Sequence, residues 1–339
     1  MDDVCIPVRE ATDTAQLRRT AMSIAARLSF DETTAGKLAL VVTEAAKNLL
    51  KHAGEGNVIL RRIEQGGIIG VEMLSLDKGP GIANVTRSFE DGYSTTGTPG
   101  TGLGAIERLS DEIDIYTRSD HGTVLMAQIW NRNGASAKPI SPPQFRVGAV
   151  CVPLPGETES GDAWLFQEDV RGARITVADG LGHGVNAAAA SQAALRTARE
   201  QVHASAPDLL ERIHGALRPT RGAAVAVAEL DRATKVVRYA GIGNIAAAVV
   251  PASGPVRRLV SHAGTAGHHA HKIQEFTYPW DSGSLLVMHS DGLVSHWSFD
   301  AYPGLTLRHP SVIAGVLYRD YVRGKDDVTV VVAQEARPA

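Results

Sequence analysis

Between Asn131 and Gln144 the chain reads NRNGASAKPISPPQ, and there the periodic hydrophobics found on either side give way to small, polar and proline residues. Such a stretch builds neither a helix stripe nor an alternating strand, so the two sides must each bury a core of their own. The length of 339 residues, a soft prior for two ordinary domains, agrees. We expect a first domain over residues 1–131, a linker over 132–144 and a second domain over 145–339.

Charge bears on partners more than on fold. The 34 basic and 37 acidic residues are mixed along the chain, giving a net charge of -3 and no broad basic face. Neither nucleic acid nor an anionic membrane is an expected partner. Cys5 and Cys151 lie too far apart in sequence to suggest a disulfide framework, which suits a reducing compartment. With no basic-then-apolar leader at MDDVCIPVRE and no run of eighteen apolar residues, the expected location is cytoplasmic.

Helical periodicity runs from Asp13 to Leu28 and again from Glu32 to His52, where Leu38, Val41, Val42, Ala45 and Leu49 share one stripe. NVILRRIE and GIIGVEMLSL then alternate as strands, and EIDIYTR with GTVLMAQIW reads as a closing antiparallel pair. The first half should therefore place helices on one face of a mixed or antiparallel sheet. The second half offers the short apolar runs ARITVA, AAVAVAEL, VVRYAGIG, AAAVV, SLLVMH and VTVVVA, with helical segments over 185–202 and 207–217. Many strands and few helices predict sheets covered by helices in place of a βαβ array.

Glu44, Asn48 and His52 recur every four residues, which forms a polar row beside the apolar stripe. Alone, that row is an ordinary solvated helix face. Further on, LDKGPGIAN sets Asp77 after a strand and before Gly79 and Gly81; a carboxylate there can accept from an exocyclic amine while the glycines let backbone approach a flat base. GTPGTGLG, residues 97–104, then precedes the helical AIERLSDE, where free N–H groups can hold phosphate. No strand leads directly into Gly100, Gly102 and Ala105, against a dinucleotide fingerprint, and no lysine followed by serine or threonine completes a Walker A loop.

In this order the pieces TEAAKNLLKHAGEG, DKGPGI, FEDGYSTTG and GTGLGAIERLSDEIDI, spanning about residues 10–130, resemble the ATP-binding fold of the histidine kinase and Hsp90 superfamily. Within it the likeness is to the small anti-sigma kinases, most closely the RsbT type of switch kinase. The resemblance implies a Bergerat-type α/β sandwich that binds ATP with Mg²⁺. Asn48 would hold the ion, Asp77 would read adenine, and Gly100, Thr101, Gly102, Leu103 and Gly104 would form the phosphate lid. Glu44 would be the general base toward an incoming serine or threonine, and His52 would have only a structural role.

In the second half Asp179 ends ARITVA within VADGLGHG, Asp291 ends SLLVMH within HSDGL, and Asp326 opens KDDVTVVVA. Each DG alone is more often a turn. Three carboxylates at strand ends can instead converge on one sheet edge, where hard oxygen ligands suit Mg²⁺ or Mn²⁺ and a cation removes their repulsion. SGDAW adds Asp162 upstream. The set SGDAW, VADGLGHG, GIGNI, HSDGL and DDVTVVV, over about residues 145–335, resembles the metal-dependent PP2C phosphatases, in the SpoIIE branch and nearest the small RsbX type. That implies a β-sandwich flanked by helices with two Mn²⁺ or Mg²⁺ ions at one end. Asp179 would bridge them, the Gly180 carbonyl would contribute, Asp291 and Asp326 would complete one shell, and Asp162 would lie beside it. No position matches the phosphate-binding arginine of larger PP2C enzymes.

Together the two resemblances imply a serine/threonine kinase fused to a metal-dependent phosphatase. Both would act on STAS-domain regulators in partner-switching and stress signalling, with a sigma factor or a phosphatase activator as a further kind of partner. The alternative is that the first half is an ATP-sensing or anti-sigma binding module that regulates the second. His262, His268, His269 and His271 match no zinc spacing and read as a polar loop, and Trp164, Trp280 and Trp297 read as packing residues.

Overall fold

The computed structural model describes residues 3–89, 102–132, 143–270 and 272–336. In chain order the first half comprises β1 (Val4–Val8), α1 (Ala11–Arg27), α2 (Glu32–Asn48), β2 (Gly56–Gln65), β3 (Ile68–Leu76), α3 (Val85–Ser88), α4 (Gly102–Leu109), β4 (Glu112–Thr117) and β5 (Thr123–Trp130). The second comprises β6 (Phe145–Val152), β7 (Asp162–Glu168), β8 (Gly172–Gly180), α5 (Val185–Glu200), α6 (Ala206–Leu217), β9 (Ala223–Asp231), β10 (Val236–Ile242), β11 (Ala246–Val250), β12 (Arg257–Leu259), β13 (Gly264–Thr265), β14 (His269–Ala270), β15 (Phe276–Pro279), β16 (Leu285–His289), α7 (Pro310–Tyr321) and β17 (Val328–Glu335). By their contacts these form two compact units, residues 1–143 with 307–319 and residues 144–306 with 320–339. Most of the expected linker, residues 133–142, lies outside the described residues.

In the first unit the strands run β1-β2-β3-β5-β4, every pair antiparallel. Pro7, which has no N–H to give a ladder, sits on the edge strand β1. α2 starts where the Asp31 side chain accepts from the Thr34 N–H at 2.9 Å. Its stripe of Leu38, Val41, Val42, Ala45 and Leu49 is buried with Leu17, Ala21 and Ile24 of α1 against Val58, Leu60, Val71, Met73, Leu125, Ala127 and Ile129 of the sheet.

The alternate residues of those strands, Ile59, Arg61, Glu72, Leu74, Leu76, Val124, Met126 and Gln128, point away from α1 and α2 and are also buried. The expectation of helices on one face is corrected here: the second face carries a cover too. That cover is α7, whose Gly315 is so close that an added Cβ would stand 3.0 Å from Val124 and 3.1 Å from Leu76. A polar cluster seals the contact. Arg61 donates to Glu72 at 2.6 Å, and Gln128 and Ser311 donate to its other carboxylate oxygen at 2.8 and 2.7 Å.

The second unit is a sandwich of two antiparallel sheets, β15-β10-β9-β8-β7 and β12-β11-β16-β17-β6. Ile175, Val177, Ala226, Ala228 and Tyr239 of one meet Val249, Leu286, Met288, Val331 and Ala333 of the other in a shared core with Trp280. The outer side of the first sheet, through Ala178, Val225, Val227, Ala240 and Ile242, is covered by Ala194 and Ala198 of α5 and Leu209, Leu210, Ile213 and Leu217 of α6. The predicted helices and apolar runs of this half fall on these elements. Among the described residues, no helix is long and apolar enough to cross a membrane.

Candidate functional site

α2 does not end at Asn48 but widens into a π turn over Leu49–Ala53, a form common at functional sites. The turn lines a cavity of about 860 Å³ together with Glu44, Asn48, His52, Asp77, Gly81, Asn84, Gly102, Leu103 and Thr123. Of the expected nucleotide residues, Gly79 sits beside the cavity, donating its N–H to Asp77 Oδ1 at 2.8 Å. Gly104 is buried in α4, while Gly100 and Thr101 lie outside the described residues.

The polar groups of this cavity are poised for a ligand. Among the described residues Asn48 has its amide Nδ2 buried without a hydrogen-bond partner, and Gly102 is close enough that a Cβ there would stand 2.9 Å from Asn48 Oδ1. A buried amide group left in that state is costly unless something enters to satisfy it. Asp77 Oδ1 accepts from Gly79 and, at 3.2 Å, from the Thr123 N–H. Burial nevertheless pushes the Asp77 carboxyl above its usual range, outweighing those bonds and the charges of Arg319 and His52. Burial also holds the His52 imidazole below its ordinary value. His52, expected to have only a structural role, is among the residues that line the cavity. Glu44 Oε1 pairs with Lys47 Nζ at 2.8 Å one helical turn on.

In the second unit the four expected aspartates come from both sheets. Asp162, which opens β7, is the direct cross-strand neighbour of Asp179 near the end of β8. Asp291 follows β16 and Asp326 precedes β17, two paired antiparallel strands of the other sheet. The two DG glycines are required by packing: a Cβ would fall 2.1 Å from the Ala187 carbonyl oxygen at Gly180 and 2.0 Å from that of Asp327 at Gly292. Burial first, then the charges of Asp162, Asp291, Asp326 and Asp327, push Asp179 up to about 9. Burial raises Asp162 to about 7 and raises Asp291 as well, with Arg323 opposing the latter shift. Among the described residues no three carboxylates, imidazoles or thiols stand close enough, as placed, to grip one ion. They are carboxylates held near enough to repel, and a set of hard oxygen donors fits divalent Mg²⁺ or Mn²⁺.

Three supporting residues carried no assigned role in the sequence. Ser290 ties the two sheets at this edge: its hydroxyl donates to Asp162 Oδ2 at 2.6 Å and accepts from the Thr329 N–H at 2.9 Å. Asn244, in the quoted GIGN, donates to Asp291 Oδ2 at 2.8 Å. Asp327 spends both oxygens on backbone, accepting from Leu154 and Gly161 at 2.7 and 2.8 Å, and so pins the loop that leads into Asp162. In the adjacent pair, Asp326 is thus the carboxylate with coordinating capacity left.

Comparison with known proteins matches each unit separately. Residues 7–129 match the histidine kinase-like ATPase domain family, and residues 169–334 match the stage II sporulation protein E (SpoIIE) family. The serine/threonine-protein kinase RsbT of Bacillus subtilis (strain 168) is 29% identical over 131 residues, covering 39% of this chain and 98% of RsbT. The phosphoserine phosphatase RsbX of the same organism is 25% identical over 138 residues, covering 41% of this chain and 69% of RsbX. A solved chain from work on "The bacterial stressosome: a modular system that has been adapted to control secondary messenger signaling" superposes with a TM-score of 0.52 at 27% identity, over 57% of this chain and 100% of that one. The chain thus joins a histidine kinase-like ATPase domain, homologous to RsbT, to a SpoIIE-type PP2C-like domain, homologous to RsbX.

Proposed function

We propose that this chain both phosphorylates and dephosphorylates serine or threonine on STAS-domain regulators in partner-switching signalling. The observation that carries the reading is the Asn48 amide, buried without a partner among the described residues, in a cavity it shares with Asp77 and Glu44. It is supported by homology to a serine/threonine kinase in one half and a phosphoserine phosphatase in the other.

In the first unit Asp77 would accept from the adenine amine and Asn48 would hold the Mg²⁺ that bridges the phosphates. Glu44 takes the proton of the attacking hydroxyl, the main chemical task left to protein in a phosphoryl transfer governed by positioning. In the second unit Asp179, the Gly180 carbonyl, Asp291 and Asp326 would hold two divalent ions, which when bound supply charge neutralisation and an acidified water. Asp162 stands beside that set, fixed by Ser290. Asn244 orients Asp291 and Asp327 holds the loop before Asp162.

Both activities on one phosphosite at once amount to ATP hydrolysis, so the halves are regulated oppositely or address different phosphosites. Incubating the chain with a STAS-domain partner, ATP and Mn²⁺ tests this. Site-resolved phosphorylation that responds to a regulator is expected, whereas steady, unregulated turnover at a single site refutes it. If the first half only senses ATP, Glu44→Ala leaves every phosphorylation readout unchanged.

A further inference from the structure

The nucleotide cavity belongs to the half that matches the ATPase family, whose match ends at residue 129, yet one group that shapes it comes from far outside that span. α7 lies within the stretch matched to the SpoIIE family, but its residues up to Arg319 pack in the first unit. Arg319, only 7% exposed, directs Nη1 at the backbone carbonyl of Asp77, 3.1 Å away. The residue is also held on either side: its N–H, in the preceding peptide, donates to the Thr123 carbonyl at 2.9 Å, and its carbonyl oxygen is so near Gly122 that a Cβ there would stand 2.0 Å from it. Oδ1 is used by Gly79 and Thr123. With main chain and one carboxylate oxygen fixed, Oδ2 is the acceptor left for a ligand. The bond from Arg319 to the carbonyl is charge-assisted and is the one constraint among these that comes from outside the ATPase-matched span.

We propose that Arg319 is a positioning residue for base recognition, a helix of the SpoIIE-matched sequence holding Asp77 so that Oδ2 meets the exocyclic amine of adenine. The inference rests on the reading of the first unit as an ATP site. Without the guanidinium the Asp77 carbonyl loses its charged donor and the backbone that carries the carboxylate shifts, so the bond to the amine weakens while the phosphate contacts at Asn48 remain.

The test compares ATP with inosine triphosphate, which carries a carbonyl in place of that amine, by titration calorimetry on the full chain with Mg²⁺. Wild type should prefer ATP by about tenfold or more. Arg319→Met should weaken ATP, leave inosine triphosphate binding nearly unchanged and bring the ratio close to one; Arg319→Lys, keeping the charge, should restore part of the preference. Equal weakening of both nucleotides in Arg319→Met and Arg319→Lys means that Arg319 acts only through folding and overturns the proposal, as does an unchanged ratio. A wild-type protein that binds neither nucleotide overturns the ATP reading itself, and one that binds both equally overturns the role of Asp77.

Discussion

Asp162 faces Asp179 directly across the β7–β8 ladder, so two carboxylates with raised pKa values oppose one another at the edge where the sheets meet. Like charges in directly opposed positions destabilise a strand pair, and a fold keeps such a pair when something positive is to lie against it. Asp179→Asn should therefore raise the melting temperature by about 2–4 °C in a chelator while phosphatase activity falls to background. Melting curves with EDTA and with Mn²⁺ check both halves of this statement: the wild type gains stability from the ion and the variant does not.

The Ser290 hydroxyl connects Asp162 to β17. Ser290→Ala should raise the Mn²⁺ concentration needed for half-maximal phosphatase activity by about 10–100-fold, the usual effect of losing an outer-shell support of a metal site. Phosphorylation by the first half should be unaffected. A metal titration of each activity in the same preparation reads both.

Glu44→Gln and Asn48→Ala should separate binding from transfer. If Glu44 is the general base proposed above, the first should keep ATP affinity within about twofold and lose phosphoryl transfer by about 100-fold or more, because a base is needed only in the chemical step. The second should abolish nucleotide binding. Nucleotide titration beside a phosphorylation assay distinguishes them.

The Glu72 carboxylate is fully buried, and burial alone would raise its pKa; Arg61, then His309, Ser311 and Gln128, reverse this and hold it below the usual range. A carboxylate depressed on folding adds stability above its unfolded pKa, and that stability is lost as pH falls through the folded value. The first unit should therefore loosen below about pH 4.5. Glu72→Gln, which leaves Arg61 buried without its anion, should destabilise the unit by about 3–5 kcal/mol at neutral pH and remove that acid dependence. Acid and urea melts of wild type and variant measure it.

The polar row and the strand-end aspartates were legible because each signal is local: i, i+4 spacing on a helix, and acid before glycine at the end of an apolar run. What escaped has non-local causes. Asp326 and Asp327 are identical neighbours, and only the N–H groups of Leu154 and Gly161 make one of them a clamp. Ser290 and Asn244 are ordinary polar residues until a partner from another strand arrives. α7 escaped for a different reason. Its run PSVIAGVL is apolar on every side, so it carries no stripe to announce a helix, and all of those residues are buried. The same cause hid the second covered face of the first sheet, since even-numbered residues of β3 such as Leu74 and Leu76 read as one apolar run with their neighbours.

Because Gly315 and its neighbours close a face of a sheet that is complete in sequence by Trp130, synthesis and assembly run out of step. A nascent chain that has emerged only to the proline-rich junction displays Leu74, Leu76, Val124 and Met126 to solvent, an adhesive surface of the kind that attracts chaperones. The ATPase-matched module ripens only once the ribosome has released a helix made almost two hundred residues after its last strand.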